Sequence, residues 1–148
     1  MDTAKWERHT LLADEAAKRG ELMSAVAHYQ VALAESQHLE VDTEGDLEEL
    51  EDLLAIKVMS CHNLADFWRA QGDSDYELKY LQLASEEVMM LLPQCPRTSC
   101  SRFVSSLGCC KSALVEFLKR HPNPKVAKHV EQIQSVNDCE LIVKFQIH

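Results

Sequence analysis

Glycine and proline are scarce in this chain. There are four of each among 148 residues: Gly20, Gly45, Gly72, Gly108, Pro93, Pro96, Pro122 and Pro124. So few breakers argue against a many-turned β fold and favour long helices. Long apolar runs are missing too: no stretch approaches ~20 consecutive apolar residues, as a membrane span requires. The charged opening "MDTAKWERHTLLADEAAKRGE" has no apolar segment of the kind a secretory signal needs. The expectation is a soluble, cytoplasmic protein. Lys and Arg are absent from residues 35–54, which hold nine acids; elsewhere 15 acids balance 15 bases, for a net charge of −9. That balance disfavours nucleic acid as a partner. Residues 95–129 lean the other way, with seven Lys or Arg against Glu116 alone.

Apolar residues make up 46% of the chain, enough for one domain with a core of ordinary size. Their spacing is helical. Residues 3–19 place Trp6, Leu11, Leu12, Ala13 and Ala16 on an apolar face, and Gly20 ends the helix. Residues 22–39 continue with Met23, Val26, Tyr29, Ala32, Leu33 and Leu39, giving an antiparallel hairpin. After the loop "LEVDTEGD", Asp46 is the expected N-cap of a helix running to Gln71. Residues 74–92 and 99–120 follow as helices, and residues 124–135 as a short last one. The tail, residues 139–148, changes period. Leu141, Val143, Phe145 and Ile147 alternate with Ile142, Lys144, Gln146 and His148, as in a strand. A lone strand needs a partner: the helices of its own chain, or the same strand of a second copy in a homodimer.

The two hairpins superpose on their glycines. Gly20 matches Gly72, Leu12-Ala13 matches Leu64-Ala65, and Ala32 matches Ala84. The offset of 52 residues is one 34-residue repeat plus an insertion of about 18. The run Leu64, Ala65, Trp68, Gly72 resembles helix A of the tetratricopeptide repeat (TPR) family. Ala25, Tyr29 and Ala32 resemble helix B. The expected architecture is all-α, with TPR-like hairpins stacked over about residues 5–39 and 57–92. A degenerate third unit spans about 99–136, followed by the strand-like tail. In such a hairpin, Ala65 lets the helices approach, Trp68 fills the space beside it, and Gly72 reverses the chain. Departures are clear. Ala16 stands where the first unit should have its aromatic, Glu77 where the second should have a small residue, and the third unit lacks a turn glycine. The whole chain also resembles a small uncharacterised family of marine gammaproteobacterial TPR-like proteins, which brings no activity with it.

The TPR resemblance implies a non-catalytic interaction module that binds a peptide or partner helix along its A helices. The groove positions it gives are Glu7, Thr10, Asp14 and Lys18 in the first unit, and Met59, His62, Asp66 and Arg69 in the second. These could equally be two solvated helix faces. Thr10 and Asp14 do not fit the Lys/Asn pattern that holds acidic C-terminal tails.

Other chemistry is poorly supported. "VDTEGDLEELED" has alternating carboxylates, but Leu47 and Leu53 occupy the glycine and bidentate-Glu places of a calcium loop. Cys95, Cys100, Cys109 and Cys110 lack zinc-site spacing. With Cys61 and Cys139 they read as reduced thiols. No nucleophile elbow, phosphate loop or HExxH is present, so neither an enzyme nor a cofactor is expected. Two other readings stay open. One is a cysteine-dependent metal or redox sensor. The other is a self-assembling structural protein, in which the acidic segment 35–54 meets the basic segment 95–129 of a neighbour.

Overall fold

A computed structural model describes the backbone of residues 1–42, 46–91 and 100–133, and the side chains of these except Leu47 and residues 100–104. Every regular element among them is helical. They are α1 (Ala4–Lys18), α2 (Leu22–His38), α3 (Leu47–Ala70), α4 (Ser74–Leu91), α5 (Cys100–Arg120) and α6, residues 124–133. The expected strand at residues 139–148 lies outside the described residues.

The boundaries follow from local chemistry. Gly20 and Gly72 have φ of +75° and +78°, a region open to glycine at little steric cost. Each closes the same motif. Glu21 N–H reaches Ala16 O at 2.9 Å and Gly20 N–H reaches Ala17 O at 3.1 Å. Asp73 N–H reaches Trp68 O and Gly72 N–H reaches Arg69 O, both at 3.0 Å. Orphan carbonyls at both helix ends are thereby satisfied. Asp46 caps α3 as expected, accepting from Glu49 N–H at 3.2 Å, with Glu48 and Glu49 in the positive first turn. Asp73 does the same for α4, through Tyr76 N–H at 3.0 Å. Asn123 caps α6 ahead of Pro124, accepting from Lys125 N–H at 2.9 Å.

Helices α1/α2 and α3/α4 are two antiparallel hairpins; α2 packs on α3, and α4 on α5. Small residues sit where the helices cross: Ala13, Ala25 and Ala84 are fully buried and Ala65 is 1% exposed. The main core continues through Leu54, Leu64 and Val88 to Leu107, Leu114, Val126 and Ile133. Trp6 carries α1 onto α3. Its ring packs with Ala32 and Ile56, and its Nε1–H donates to Ser60 Oγ at 2.7 Å. Gln30 Nε2 donates to Tyr80 OH at 2.6 Å, tying α2 to α4.

Trp68 behaves differently from its expected part as hairpin filler. It is half-buried in the last turn of α3, stacked on Tyr76 at 4.7 Å and edge-on to Phe67 at 5.2 Å. Phe67 is the buried aromatic. Position 68 lies over the reversal, beside the first turn of α4, so its ring covers the turn.

Candidate functional site

On α1, Glu7, Thr10, Asp14 and Lys18 recur every three or four residues and so lie along one side. On α3, Met59, His62, Asp66 and Arg69 do the same. Glu7, Lys18, Asp66 and Arg69 are exposed, and Thr10, Asp14 and His62 are half-buried. Met59 is 47% exposed, a large apolar side chain in solvent.

The structure joins these residues in two groups. Glu7 and Met59 line one cleft of about 500 Å³ between the start of α1 and the start of α3. Met1 and Thr3 complete the α1 side. Asp46, Glu48, Glu49, Asp52, Ala55 and Ile56 complete the α3 side. The lining mixes the acids Glu7, Asp46, Glu48, Glu49 and Asp52 with the apolar Met1, Ala55, Ile56 and Met59. Thr3 Oγ1 donates to Glu7 at 2.9 Å. The Met1 amine pairs with Asp42 and, at 3.4 Å, with Glu49.

The second group centres on Tyr29 of α2. Its hydroxyl donates to Asp14 Oδ1 at 2.5 Å. Burial, then the Asp14 bond, then the charges of Asp14 and Asp66 push the phenol above its ordinary range, so it stays protonated. Asp14 and Asp66 thus both act on one ring. The His62 imidazole is held below its ordinary pKa by burial, against the opposing pull of Asp66. His62 Nε2 and Thr10 Oγ1 are buried and have no hydrogen-bond partner. Unpaired buried polar atoms are uncommon and costly. Lys18 and Arg69 are the two positions of the expected set that neither group includes.

Several polar contacts escape a reading of sequence alone. Lys57 is 7% exposed, donates to Ser36 O at 3.0 Å and pairs with Glu87 at 3.5 Å. Glu77 is 4% exposed and accepts both Arg120 guanidinium nitrogens, at 3.0 and 2.6 Å. Ser85 Oγ and His129 Nε2 lie 2.7 Å apart, joining α6 to α4. A signal existed for two of them. Lys57 is a lone cation inside an apolar stripe, and Glu77 stands where the tetratricopeptide resemblance expects a small residue.

Among the described residues, no three His, Cys, Asp or Glu are grouped to hold a metal ion. Burial pushes the Cys61 and Cys110 thiols up to about 12, while Cys109 is exposed. Such buried thiols are poor nucleophiles and poor metal ligands. Cys95, Cys100 and Cys139 fall outside the described side chains. No described helix is long and apolar enough to cross a membrane.

Over the described residues the molecule is thus all-helical, two matched hairpins and a further helical segment, with a cleft between α1 and α3. The chain belongs to the family described as "Protein of unknown function (DUF2753)", which matches residues 4–148. It is 50% identical over 147 residues to an uncharacterized protein of Vibrio parahaemolyticus, covering 98% of this chain and 99% of that one. No solved structure matches it.

Proposed function

We propose that the protein is a non-catalytic, TPR-like interaction module of the cytoplasm that holds a peptide or partner helix against the face shared by α1 and α3. One observation carries this reading. Thr10 and His62, and Asp14 and Asp66, stand 52 residues apart, the offset that superposes Gly20 on Gly72. Two hairpins therefore offer the same pair of positions: a buried polar atom without a partner, and a carboxylate one turn on. A partner lying across both helices would meet the two carboxylates in turn. The sensor reading has less behind it, because the Cys61 and Cys110 thiols are buried and raised. Self-assembly has a narrowed basic surface, because Lys119 and Arg120 pair with Glu116 and Glu77 and, on α6, Lys125 and Lys128 stay exposed.

Photocrosslinking in native cells tests the proposal. A photoreactive phenylalanine replaces Met59 in one variant and the exposed Glu86 of α4 in another. A discrete protein adduct at 59 and none at 86 is expected. Equal labelling at both positions, or adducts at 86 only, would sink the reading.

A further inference from the structure

Resting on the α1–α3 face as the docking face, we propose that its occupant is a cationic amphipathic segment of another protein. An apolar side chain enters the cleft, and Lys or Arg side chains at one-turn spacing meet the carboxylates along it.

Two independent features lead there. First, the apolar Ala55, Ile56 and Met59 are among the residues that line the cleft, and Met59 is left 47% exposed. An exposed large apolar residue on a concave surface is a place for another apolar group. Second, the carboxylates are unbalanced. Glu7, Asp52 and Asp66 take part in no ion pair among the described residues, while Asp14 holds only the Tyr29 hydroxyl. Like charges gathered in a concavity raise the local concentration of opposite charge and repel anionic partners. Acidity alone would say only that the surface is solvated. Acidity beside the exposed apolar side chain of Met59, in one cleft, describes a surface shaped for a cationic, partly apolar ligand.

A second copy of this chain fits poorly. Lys125 and Lys128 of α6 stand exposed one turn apart, but Val126 and Ile133 of that helix are buried in its own core, so α6 has neither of them to offer the cleft.

The test uses the full chain and two fluorescent synthetic peptides of equal length: a Lys/Leu amphipathic helix former and its Glu/Leu counterpart. The Lys/Leu peptide should bind and the Glu/Leu peptide should not. Binding should weaken as salt shortens the screening length from ~10 Å at 0.1 M to ~3 Å at 1 M. The triple variant Glu7→Gln/Asp52→Asn/Asp66→Asn should bind about ten-fold more weakly, the sum expected of three exposed charge pairs. A control triple, Asp75→Asn/Glu86→Gln/Glu131→Gln, removes the same charge elsewhere and should leave affinity within about two-fold. Amide chemical-shift changes should centre on Glu7, Ala55 and Met59. Equal losses in the two triples would reduce the effect to net charge and overturn the proposal. Binding of the Glu/Leu peptide would overturn it too. So would salt-sensitive self-association that Lys125→Glu/Lys128→Glu abolishes, because the occupant would then be a second copy. If neither peptide binds but Met59 still crosslinks a partner in cells, the docking face stands and its cationic occupant does not.

Discussion

Arg120→Met should be the most informative single change in the molecule. It removes the guanidinium that holds Glu77 by two hydrogen bonds, at 3.0 and 2.6 Å. Glu77 is 4% exposed, so water cannot replace the lost donors. Breaking a buried ion pair from one side costs about 3–5 kcal/mol, because a charge is left desolvated and alone. The Arg120 side chain is itself 30% exposed, which lets some water approach once it is gone and puts the expected loss near the lower end, about 3 kcal/mol. For a chain of this length that is a fall in Tm of roughly 6–12 °C. Glu77→Met should cost less, about 1 kcal/mol, because the freed guanidinium can turn to solvent while Met fills the buried site. The double variant should return to within about 1 kcal/mol of the parent, as apolar replacements of buried pairs do. Urea denaturation followed by circular dichroism gives all four corners of the cycle. Hydrogen exchange locates the effect: α5 should lose protection in Arg120→Met, and the α1/α2 hairpin should keep it. Two results would refute the reasoning. One is an Arg120→Met loss below about 0.5 kcal/mol, the range of an ordinary surface change. The other is a Glu77→Met loss larger than that of Arg120→Met.

Three further outcomes are expected. Gly20→Ala and Gly72→Ala should each cost about 1–2 kcal/mol from the left-handed backbone alone, since an added Cβ meets nothing within 4 Å. Gly108→Ala, inside α5 and equally open, should stabilise by about 0.5–1 kcal/mol; chemical denaturation separates the signs. In a thiol-reagent titration, Cys109 should react in the folded protein, and Cys61 and Cys110 only after urea. Burial lowers the His62 pKa in the fold, so the unfolded chain binds its proton first as pH falls. The stability that neutral His62 contributes is complete above about pH 6.5 and is lost below it. Urea midpoints measured from pH 7 to pH 5 should fall less steeply in His62→Gln; an unchanged slope would show that His62 does not carry the loss.

The helices were legible because they rest on local signals. Gly20 and Gly72 mark the reversals through their backbone freedom. Asp46 caps through its side chain, and the 3.6-residue apolar spacing persists between them. The pairing of Gly20 with Gly72, Ala13 with Ala65 and Ala32 with Ala84 was readable for the same reason. Contacts between residues far apart in sequence were not. Nothing in the chain announces that Trp6 will donate to Ser60, or Ser85 meet His129, because each depends on the docking of one hairpin on the next element. The candidate site was legible as a stripe and illegible as a place. Periodicity put Glu7 and Met59 on their helix faces. It could not say that they share a cleft, or that Lys18 and Arg69 stand apart from it.

The break in the repeat is what builds that cleft. Superposed on the glycines, Ala4 at the start of α1 falls on Ile56, well inside α3. Residues 47–55 are therefore extra helix, about two and a half turns beyond anything α1 can match. Asp46 caps this extension, and Glu48, Glu49, Asp52 and Ala55 stand along it, forming most of the α3 wall of the cleft. Two hairpins whose first helices were of equal length before the glycine would begin level and leave no overhang. The insertion supplies both the overhang and its acids, since eight of the nine in residues 35–54 lie in the loop and extension between α2 and Leu53. Sequence drift in a repeat usually reads as decay. Here the irregular segment is the one that gives the two-hairpin frame a concave acidic surface, so truncating it by whole turns should erase the cleft while leaving both hairpin reversals intact.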